Sequence, residues 1–191
     1  MNTTELYRRA VEEFGRRVEA VGDDQWANST PCTEWSVRDL VNHVISEDKW
    51  VVPLLAGQSI QDVGDRFDGD LLGEDPQRSW KETRSDAMDA TSDDAVVERT
   101  VSLSRGPTSA EIYLQEVAAD NVIHAWDLAK GTTGDASIDP ELVEFAYEFY
   151  KPQAELWRQF GAFGSEVQVP MDADRQTKLL GMVGRRADWT G

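Results

Sequence analysis

The sequence has few of the residues that build disulfides and transition-metal sites. Its 191 residues include one cysteine, Cys32, and only two histidines, His43 and His124. A single cysteine excludes an internal disulfide framework and a zinc finger built from several thiolates. The positions of the two histidines therefore carry most of the information about a metal site in this chain.

Positive charge is also scarce. The chain has 19 lysines and arginines against 36 aspartates and glutamates, which gives a formal net charge of −17. This balance repels polyphosphate, so it excludes a general nucleic-acid binder and disfavours binding to anionic membranes. The remaining composition, 40% hydrophobic and 29% charged, is that of a globular protein, and we predict one domain over residues 1–191.

No long hydrophobic run is present. The longest apolar stretch, residues 50–56, contains Pro53 and is too short to cross a bilayer. The amino-terminal sequence MNTTELYRRAVEEF is charged from Glu5 onward and lacks the apolar segment of a secretory signal. We therefore expect a cytoplasmic protein with no membrane association.

Hydrophobic residues recur at helical spacing over most of the chain. The pattern predicts helices over residues 4–21, from the Ser36 cap to about Val52, 76–92, 109–130 and 140–160, with a short helix near 173–183. The chain is thus predicted to be mostly helical with four main helices, which indicates an all-α bundle.

Several residues mark where these helices begin and end. Ser36 and Asp39 resemble a capping box, and Asp75 and Asp139 each precede a proline at the first helical position. Asp172 is the predicted cap of the short helix. Pro53 should perturb or end the second helix, and Gly131 should cap the helix over 109–130.

Two segments lack a helical period. Residues 57–75 are rich in glycine and aspartate, which predicts a long surface loop. Residues 96–103 alternate too loosely for a strand assignment, so we expect one short extended segment there and not a sheet.

One helix face combines apolar and ionisable residues. Asp120 and His124 are one turn apart, on the face that also carries Tyr113, Val117 and Leu128. This face should turn toward the interior of the bundle. Burying a carboxylate there is unfavourable unless it is paired or binds a cation.

His43 is a second ionisable residue at an apolar surface, because it lies on or beside the apolar stripe of the second helix. Two imidazoles and a carboxylate from facing helices form a donor set for a divalent metal with open coordination positions. The set suits Zn²⁺, Ni²⁺ or Fe²⁺ better than Ca²⁺. The alternative, which spacing alone leaves open, is a hydrogen-bonded Asp120–His124 contact without metal.

Three segments resemble those of a known family. PCTEWSVRDLVNHV, residues 31–44, resembles the signature PC-x-x-W-[ST]-V-R-[DA]-L-x-x-H of the mycothiol-dependent maleylpyruvate isomerase N-terminal-like family, part of the DinB/YfiT-like superfamily. DNVIHAWDLAKGTTG, residues 120–134, is similar to the second signature of that family. DRQTKLLGMVGRR, residues 174–186, is similar to the carboxyl-terminal ending of a short, single-domain actinobacterial subgroup.

The resemblance covers nearly the whole chain in the right order. It implies a DinB-like four-helix bundle of the up-down-down-up type with a divalent metal between helices. The metal triad of the family falls on His43, Asp120 and His124. The resemblance also implies mycothiol as the thiol co-substrate, and it admits a homodimer through exposed bundle faces, which no motif of this chain supports.

The chain departs from the isomerase in three respects. The acidic ligand of the isomerase is a glutamate, whereas Asp120 is one methylene shorter. Glu47 lies one turn after His43, where it could be a fourth ligand, an acceptor for an imidazole N–H or a solvated carboxylate. The isomerase carries an additional carboxyl-terminal domain that contributes to its active site, and 191 residues leave little room for one. We therefore do not transfer maleylpyruvate isomerisation to this chain.

The remaining conspicuous residues have structural interpretations. Cys32 has Glu34 and no basic residue near it in the sequence, which favours a packed residue at a turn over a reactive thiol. Trp35 and Trp126 are predicted core anchors rather than substrate platforms. The acidic segment 62–75 lacks the ligand order of an EF-hand, so we interpret it as a solvated loop.

Three hypotheses about function follow. The first is a metal-dependent thiol transferase or isomerase-like enzyme, in which the thiolate of a small thiol attacks a small electrophile. Its candidate catalytic residues are Asp127 and Glu47, since each lies about one turn from a histidine. The second is a non-catalytic metal-binding or ligand-binding bundle. The third is a structural protein whose site no longer binds metal.

Overall fold

The computed structural model describes residues 1–191, and 8 of its elements are α-helices. The helices are α1 (Thr3–Val18), α2 (Val37–Leu55), α3 (Ile60–Val63), α4 (Pro76–Ala90), α5 (Ala110–Gly131), α6 (Pro140–Tyr150), α7 (Ala154–Gln159) and α8 (Arg175–Met182). A 3₁₀ turn at Asp94–Glu98 leads into strands β1 (Thr100–Leu103) and β2 (Gly106–Ser109). The protein is therefore mostly helical, with one small sheet.

Side chains cap the first turns of α2, α4, α5 and α6, and the caps of α2, α4 and α6 are those that the sequence predicts. Ser36 and Asp39 form a reciprocal capping box at the start of α2, so two free backbone N–H groups are satisfied. Asp75 caps α4 and Asp139 caps α6, each with proline in the first turn. Ser109 accepts a hydrogen bond from the backbone N–H of Glu111 and so begins α5.

Proline affects two predicted helix ends in opposite ways. Helix α2 continues through Pro53 to Leu55, because proline removes only one backbone donor near the end of the helix and Leu54 and Leu55 are both buried. The prediction of a single helix over 140–160 is wrong. It is interrupted between Tyr150 and Ala154, where Pro152 cannot donate the next helical hydrogen bond.

The expectation that residues 96–103 form no sheet is also wrong. Strand β1 pairs antiparallel with β2, with Val101 opposite Thr108 and Leu103 opposite Gly106. Gly106 adopts a φ of +108° beside the connecting turn, a conformation that favours glycine. Val101 is buried, and its packing against the core helps to hold β1 in place. The strand has only four residues, so its alternation of buried and exposed side chains is too short to be evident in the sequence.

Smaller corrections concern loops and caps. The predicted loop over 57–75 contains the four-residue helix α3, which begins with a capping box between Ser59 and Asp62. Helix α8 is capped by Asp174 rather than Asp172. Gly131 is the last residue of α5 and not its cap. Its missing side chain is required by packing, since a Cβ atom there would lie 3.1 Å from the backbone oxygen of Ser29.

The core surrounds α5, most of whose residues are buried. Helices α1, α2 and α6 pack against α5, and α4 packs against α2. Because α5 is enclosed on several sides, most residues in its middle are buried, whereas Gln115, Glu116 and Asp120 are half-buried. None of the helices combines the length and hydrophobicity that a bilayer span requires.

One buried carboxylate that the sequence analysis does not consider, that of Asp48, lies between α1, α2 and α5. Asp48 is fully buried and accepts a hydrogen bond of 2.7 Å from the Tyr7 hydroxyl. The Asn121 side-chain nitrogen lies 3.4 Å from both Asp48 oxygens, while the Asn121 side-chain oxygen has no partner. Burial raises the pKa of Asp48 to about 7, although the hydrogen bonds from Tyr7 and Asn121 oppose this shift.

We expect Asp48 to make metal-free protein less stable as the pH rises from about 4 to about 7. Over this range the folded state holds a proton on Asp48 that the unfolded chain releases, so rising pH favours unfolding by up to about 4 kcal/mol from this group. Asp48→Asn keeps the shape of the side chain and removes its titration.

Urea unfolding of both proteins at pH 5 and pH 8 tests this expectation. The variant should gain stability relative to wild type between the two pH values. Parallel pH profiles for the two proteins would contradict the predicted protonation of Asp48.

Candidate metal centre and adjoining cavity

The packing of α2 against α5 brings both histidines of the chain to one carboxylate. His43 projects from α2, whereas Asp120 and His124 lie one turn apart on α5. One donor atom from each of the three residues lies within 4.8 Å of the others. The His43 Nε2 atom is 3.3 Å from Asp120 Oδ2, and the His124 Nε2 atom is 3.4 Å from Asp120 Oδ1.

Asp120 lies in an environment that favours its charged form. Burial alone would raise the pKa of this carboxyl, but the imidazoles of His124 and His43 outweigh that effect and hold it well below its usual range. Asp120 Oδ2 is buried and accepts no hydrogen bond. A carboxylate that has an imidazole nitrogen beside each oxygen, His43 beside Oδ2 and His124 beside Oδ1, has the chemistry of a cation site.

Asp127 and Arg185 fix the orientation of the His124 ring. The His124 Nδ1 atom is 3.0 Å from Asp127 Oδ2, so its Nε2 atom faces Asp120. Arg185 donates to both oxygens of Asp127, at 3.0 Å from Nε and 2.9 Å from Nη2. Burial lowers the pKa of His124, yet the two carboxylates outweigh burial and raise it to about 9. In metal sites, an acceptor on the second ring nitrogen commonly sets the tautomer of a ligating histidine.

Trp35 covers the histidine pair from the loop before α2. The Trp35 ring lies 4.7 Å from the ring of His43 and 5.8 Å from that of His124, measured between centroids. The residue is half-buried, packs against the core and also lines the cavity. Trp35 therefore does more than anchor the core, because it also forms part of the cavity wall. Trp126 is buried in the core, as predicted.

The triad opens onto a cavity of about 440 Å³, a volume typical of small-molecule sites. An aromatic wall, defined by Tyr150, Trp157 and Phe163, forms one part of its lining. The centroids of these rings are 4.9 Å to 6.1 Å apart. Val117 and Ile123 add apolar surface. The cavity therefore joins a polar metal-type site to an apolar space.

Besides Asp120 Oδ2, two hydrogen-bond donors of residues that line the cavity are buried without partners. These are the hydroxyl of Tyr113, on α5, and the indole nitrogen of Trp157, on α7. Burial, together with the nearby Glu47 and Asp48 carboxylates, raises the pKa of Tyr113 well above its usual value. The hydroxyl therefore stays protonated and can donate a hydrogen bond.

The lining also contains the carboxylates of Glu47 and Glu116. Burial, and then the charge of Asp120, raise the pKa of Glu47. Glu116 accepts two hydrogen bonds from Arg105, at 2.7 Å and 2.6 Å. The cavity thus has an acidic side, and Glu47 lies on it outside the cluster of three donors around Asp120.

Cys32 lies near His124 and also lines the cavity. The Cys32 sulfur forms a second cluster with His124 and Asp127, but Asp127 already accepts both hydrogen bonds from Arg185. Burial raises the pKa of Cys32 to about 11, despite the opposing effect of Arg185. The thiol therefore remains protonated at neutral pH, and a protonated thiol is a poor nucleophile and a poor metal ligand.

The structure separates the two candidate catalytic residues. Glu47 lines the cavity, whereas Asp127 is fully buried behind His124 and does not reach it. Arg185 was not identified as a functional residue from the sequence, although it lies within the segment 174–186 that carries the third resemblance. The burial of Asp127, which only the folded structure shows, explains why a basic partner is needed there.

Some carboxylates of the acidic segment 62–75 cap helices, and others pair with arginine at the surface. Asp62 caps α3, and Asp70 accepts a hydrogen bond from Arg38 at 2.8 Å. These contacts account for part of the charge that the composition places in this segment.

Comparison with known proteins places the chain within one family. The family model described as the mycothiol maleylpyruvate isomerase N-terminal domain matches residues 7–129, which include His43, Asp120 and His124. Two uncharacterized proteins of Mycobacterium tuberculosis, from strains CDC 1551 and H37Rv, are each 27% identical over 189 residues, covering 97% of this chain and 98% of theirs. No solved structure matches the chain. Since the family model covers well over half of the sequence, the chain belongs to the mycothiol maleylpyruvate isomerase N-terminal domain family.

Proposed function

We propose that His43, Asp120 and His124 bind one divalent metal ion, with zinc as the first choice and nickel or iron as alternatives. The observation that carries this proposal is the buried Asp120 Oδ2, which accepts no hydrogen bond while two imidazole nitrogens face the same carboxylate. Two neutral imidazoles and a carboxylate suit these ions and leave coordination positions free for a ligand. The Asp127 contact to His124 supports the same assignment.

The activity that fits this site is a metal-dependent thiol transferase or isomerase-like reaction on a small electrophile, with mycothiol as the thiol suggested by the family. The bound ion would stabilise the thiolate form of the thiol by its positive charge. Asp127 and Arg185 keep the His124 ring in place. The apolar surface beside the triad is large enough to bind a small second substrate and exclude water.

Glu47 is the candidate for proton transfer, because it lines the cavity and its pKa is raised by burial. Asp127 is better described as a positioning residue, since it contacts His124 and Arg185 and does not reach the cavity. We further propose a cytoplasmic protein of one domain with a DinB-like four-helix arrangement. The family membership and the packing of the long helices around α5 support this assignment.

Metal analysis of protein purified without a histidine tag tests the site. Wild type should hold about one divalent ion per chain, and His43→Ala and His124→Ala should each lose most of it because each removes one of only two imidazole ligands. Asp65→Asn, an exposed position in the acidic segment, is the matched control and should keep its metal. Unchanged metal content in both histidine variants would refute the assignment.

A conjugation screen separates catalysis from binding alone. Metal-loaded protein is incubated with a low-molecular-weight thiol and a panel of small electrophiles, and product is measured with and without enzyme. Metal-dependent product formation supports the transferase, whereas ligand binding without turnover across the panel supports the non-catalytic alternative.

A further inference from the structure

A second hollow lies among the last three helices of the chain, apart from the triad. We call it the carboxyl-terminal groove, and we define it by Lys151, Ala154, Arg158, Lys178 and the non-helical segment 166–171. Its volume is about 470 Å³, and none of the residues that line it also lines the cavity beside the triad. The chain therefore has room for a second small ligand.

Close packing at Gly181 forms one side of this groove. The Val167 backbone N–H donates to the Gly181 backbone oxygen at 2.9 Å. A Cβ atom at position 181 would lie 2.6 Å from the Val167 backbone oxygen and 2.9 Å from a methyl carbon of Val169, so glycine is required there. Segment 166–171 thus lies directly against α8, and the shape of the groove is fixed by backbone contact.

The lining of the groove is basic, although the chain is strongly acidic. Three basic residues, Lys151, Arg158 and Lys178, line it together with a single acidic residue, Glu166. The whole chain has 36 acidic against 19 basic residues. A local excess of positive charge on such a chain favours the approach of an anion at this place.

The two lysines of the groove have no close carboxylate partner. Lys178 is half-buried, and no carboxylate pairs with its ammonium group. The Lys151 Nζ atom lies 3.8 Å from Glu148 Oε1, which is too far for a hydrogen bond. Both ammonium groups can therefore donate to a ligand.

Arg158 is held in place and still has an unused nitrogen. Its Nη1 atom donates to the backbone oxygen of Met182 at 2.9 Å, and its Nε atom donates to Glu155 at 3.0 Å. The Nη2 atom lies 3.9 Å from Glu166, beyond hydrogen-bonding distance. Because two bonds already fix the guanidinium, an anion that accepts from Nη2 would order little additional side chain.

Apolar side chains form much of the remaining lining. Val167, Val169 and Pro170 come from the non-helical segment, and Met182 comes from α8. Met171, which also lines the groove, is 95% exposed. A small polar anion would leave this apolar surface in water, whereas an uncharged apolar compound would leave the basic groups without an acceptor.

We propose that the carboxyl-terminal groove binds a small amphipathic carboxylate. Its anionic head would lie among Lys151, Arg158 and Lys178, and its aliphatic chain would lie on the apolar surface of segment 166–171. Glu166 in the same lining favours a ligand with one negative charge over a ligand with two. The site is separate from the triad and does not depend on the proposed metal.

Three unreactive probes test the two parts of this ligand. Octanoate has a carboxylate and a chain, butanoate has the same head with a shorter chain, and 1-octanol has a chain of the same length without the charge. Titration calorimetry of the wild-type protein at pH 8 should show octanoate binding about tenfold or more tightly than either of the others. This comparison needs no variant, so it does not depend on the folding of a mutant.

Variants then locate the binding site. Lys178→Gln should weaken octanoate binding about three- to tenfold, the loss expected for one charge-assisted contact. The double variant Lys151→Gln/Lys178→Gln should weaken it further. Lys81→Gln makes the same change at an exposed lysine of α4 outside the groove, so it is the matched control and should bind octanoate as wild type does.

A carboxylate can also coordinate a metal ion, so the titration is repeated with protein treated with a chelator. Unchanged affinity for octanoate supports the groove. Loss of binding on chelation would overturn the proposal, because the carboxylate would then be bound at the metal. Equal affinity of wild type and the double lysine variant for octanoate would also overturn it, as would equal affinity of wild type for octanoate and 1-octanol.

Discussion

Replacing Arg185 with methionine is expected to lower the free energy of unfolding by about 3–5 kcal/mol. The substitution removes a guanidinium that donates to both oxygens of Asp127, a carboxylate with no exposed surface. Methionine fills a similar volume, so the cost arises mainly from leaving the buried Asp127 carboxylate with His124 as its only charged partner. Urea unfolding monitored by circular dichroism measures the change.

Two further variants make this result specific. The double variant Asp127→Asn/Arg185→Met removes the buried carboxylate together with its guanidinium, so it should be more stable than Arg185→Met alone. Arg186→Met is the matched control. Arg186 is the next residue and pairs only with the exposed Asp188, so its loss should change stability by less than about 0.5 kcal/mol. Equal effects at positions 185 and 186 would rule out the buried pair as the cause.

The second large effect concerns metal affinity. Asp120→Asn should weaken binding of a divalent ion about 100-fold or more, because the variant loses the only charged ligand of the proposed triad while keeping its shape. Competition with a chelator of known affinity measures this change. Asp127→Asn should cost less, about 10- to 100-fold, because it acts only through the orientation of the His124 ring.

Asp48→Asn is the control for these measurements. Asp48 is a buried carboxylate on α2, yet its partners are Tyr7 and Asn121 and not the triad. Its removal should leave metal affinity within a few-fold of wild type. Equal losses from Asp48→Asn and Asp120→Asn would show that buried charge in general, rather than ligation by Asp120, determines metal binding.

Helix starts and helix faces could be predicted from the sequence, because the residues that define them are close together along the chain. The capping box at Ser36, the Asp–Pro starts of α4 and α6, and the periodicity of α5 all concern residues within one or two turns of one another. The predictions failed where a single residue or a distant contact decided the outcome. Pro152 separates α6 from α7, and the burial of Val101 creates a hairpin where no sheet was expected.

The same distinction holds at the candidate site. The i, i+4 pair of Asp120 and His124 and the placement of His43 on an inner helix face follow from the sequence, because helical geometry fixes which neighbouring residues share a face. The fold was needed to show that Arg185, 58 residues beyond Asp127, neutralises the carboxylate behind His124. It was also needed to show that Tyr113 and the aromatic wall share one cavity with the triad. Contacts of this kind depend on how helices pack across the whole chain, and spacing along one helix carries no information about them.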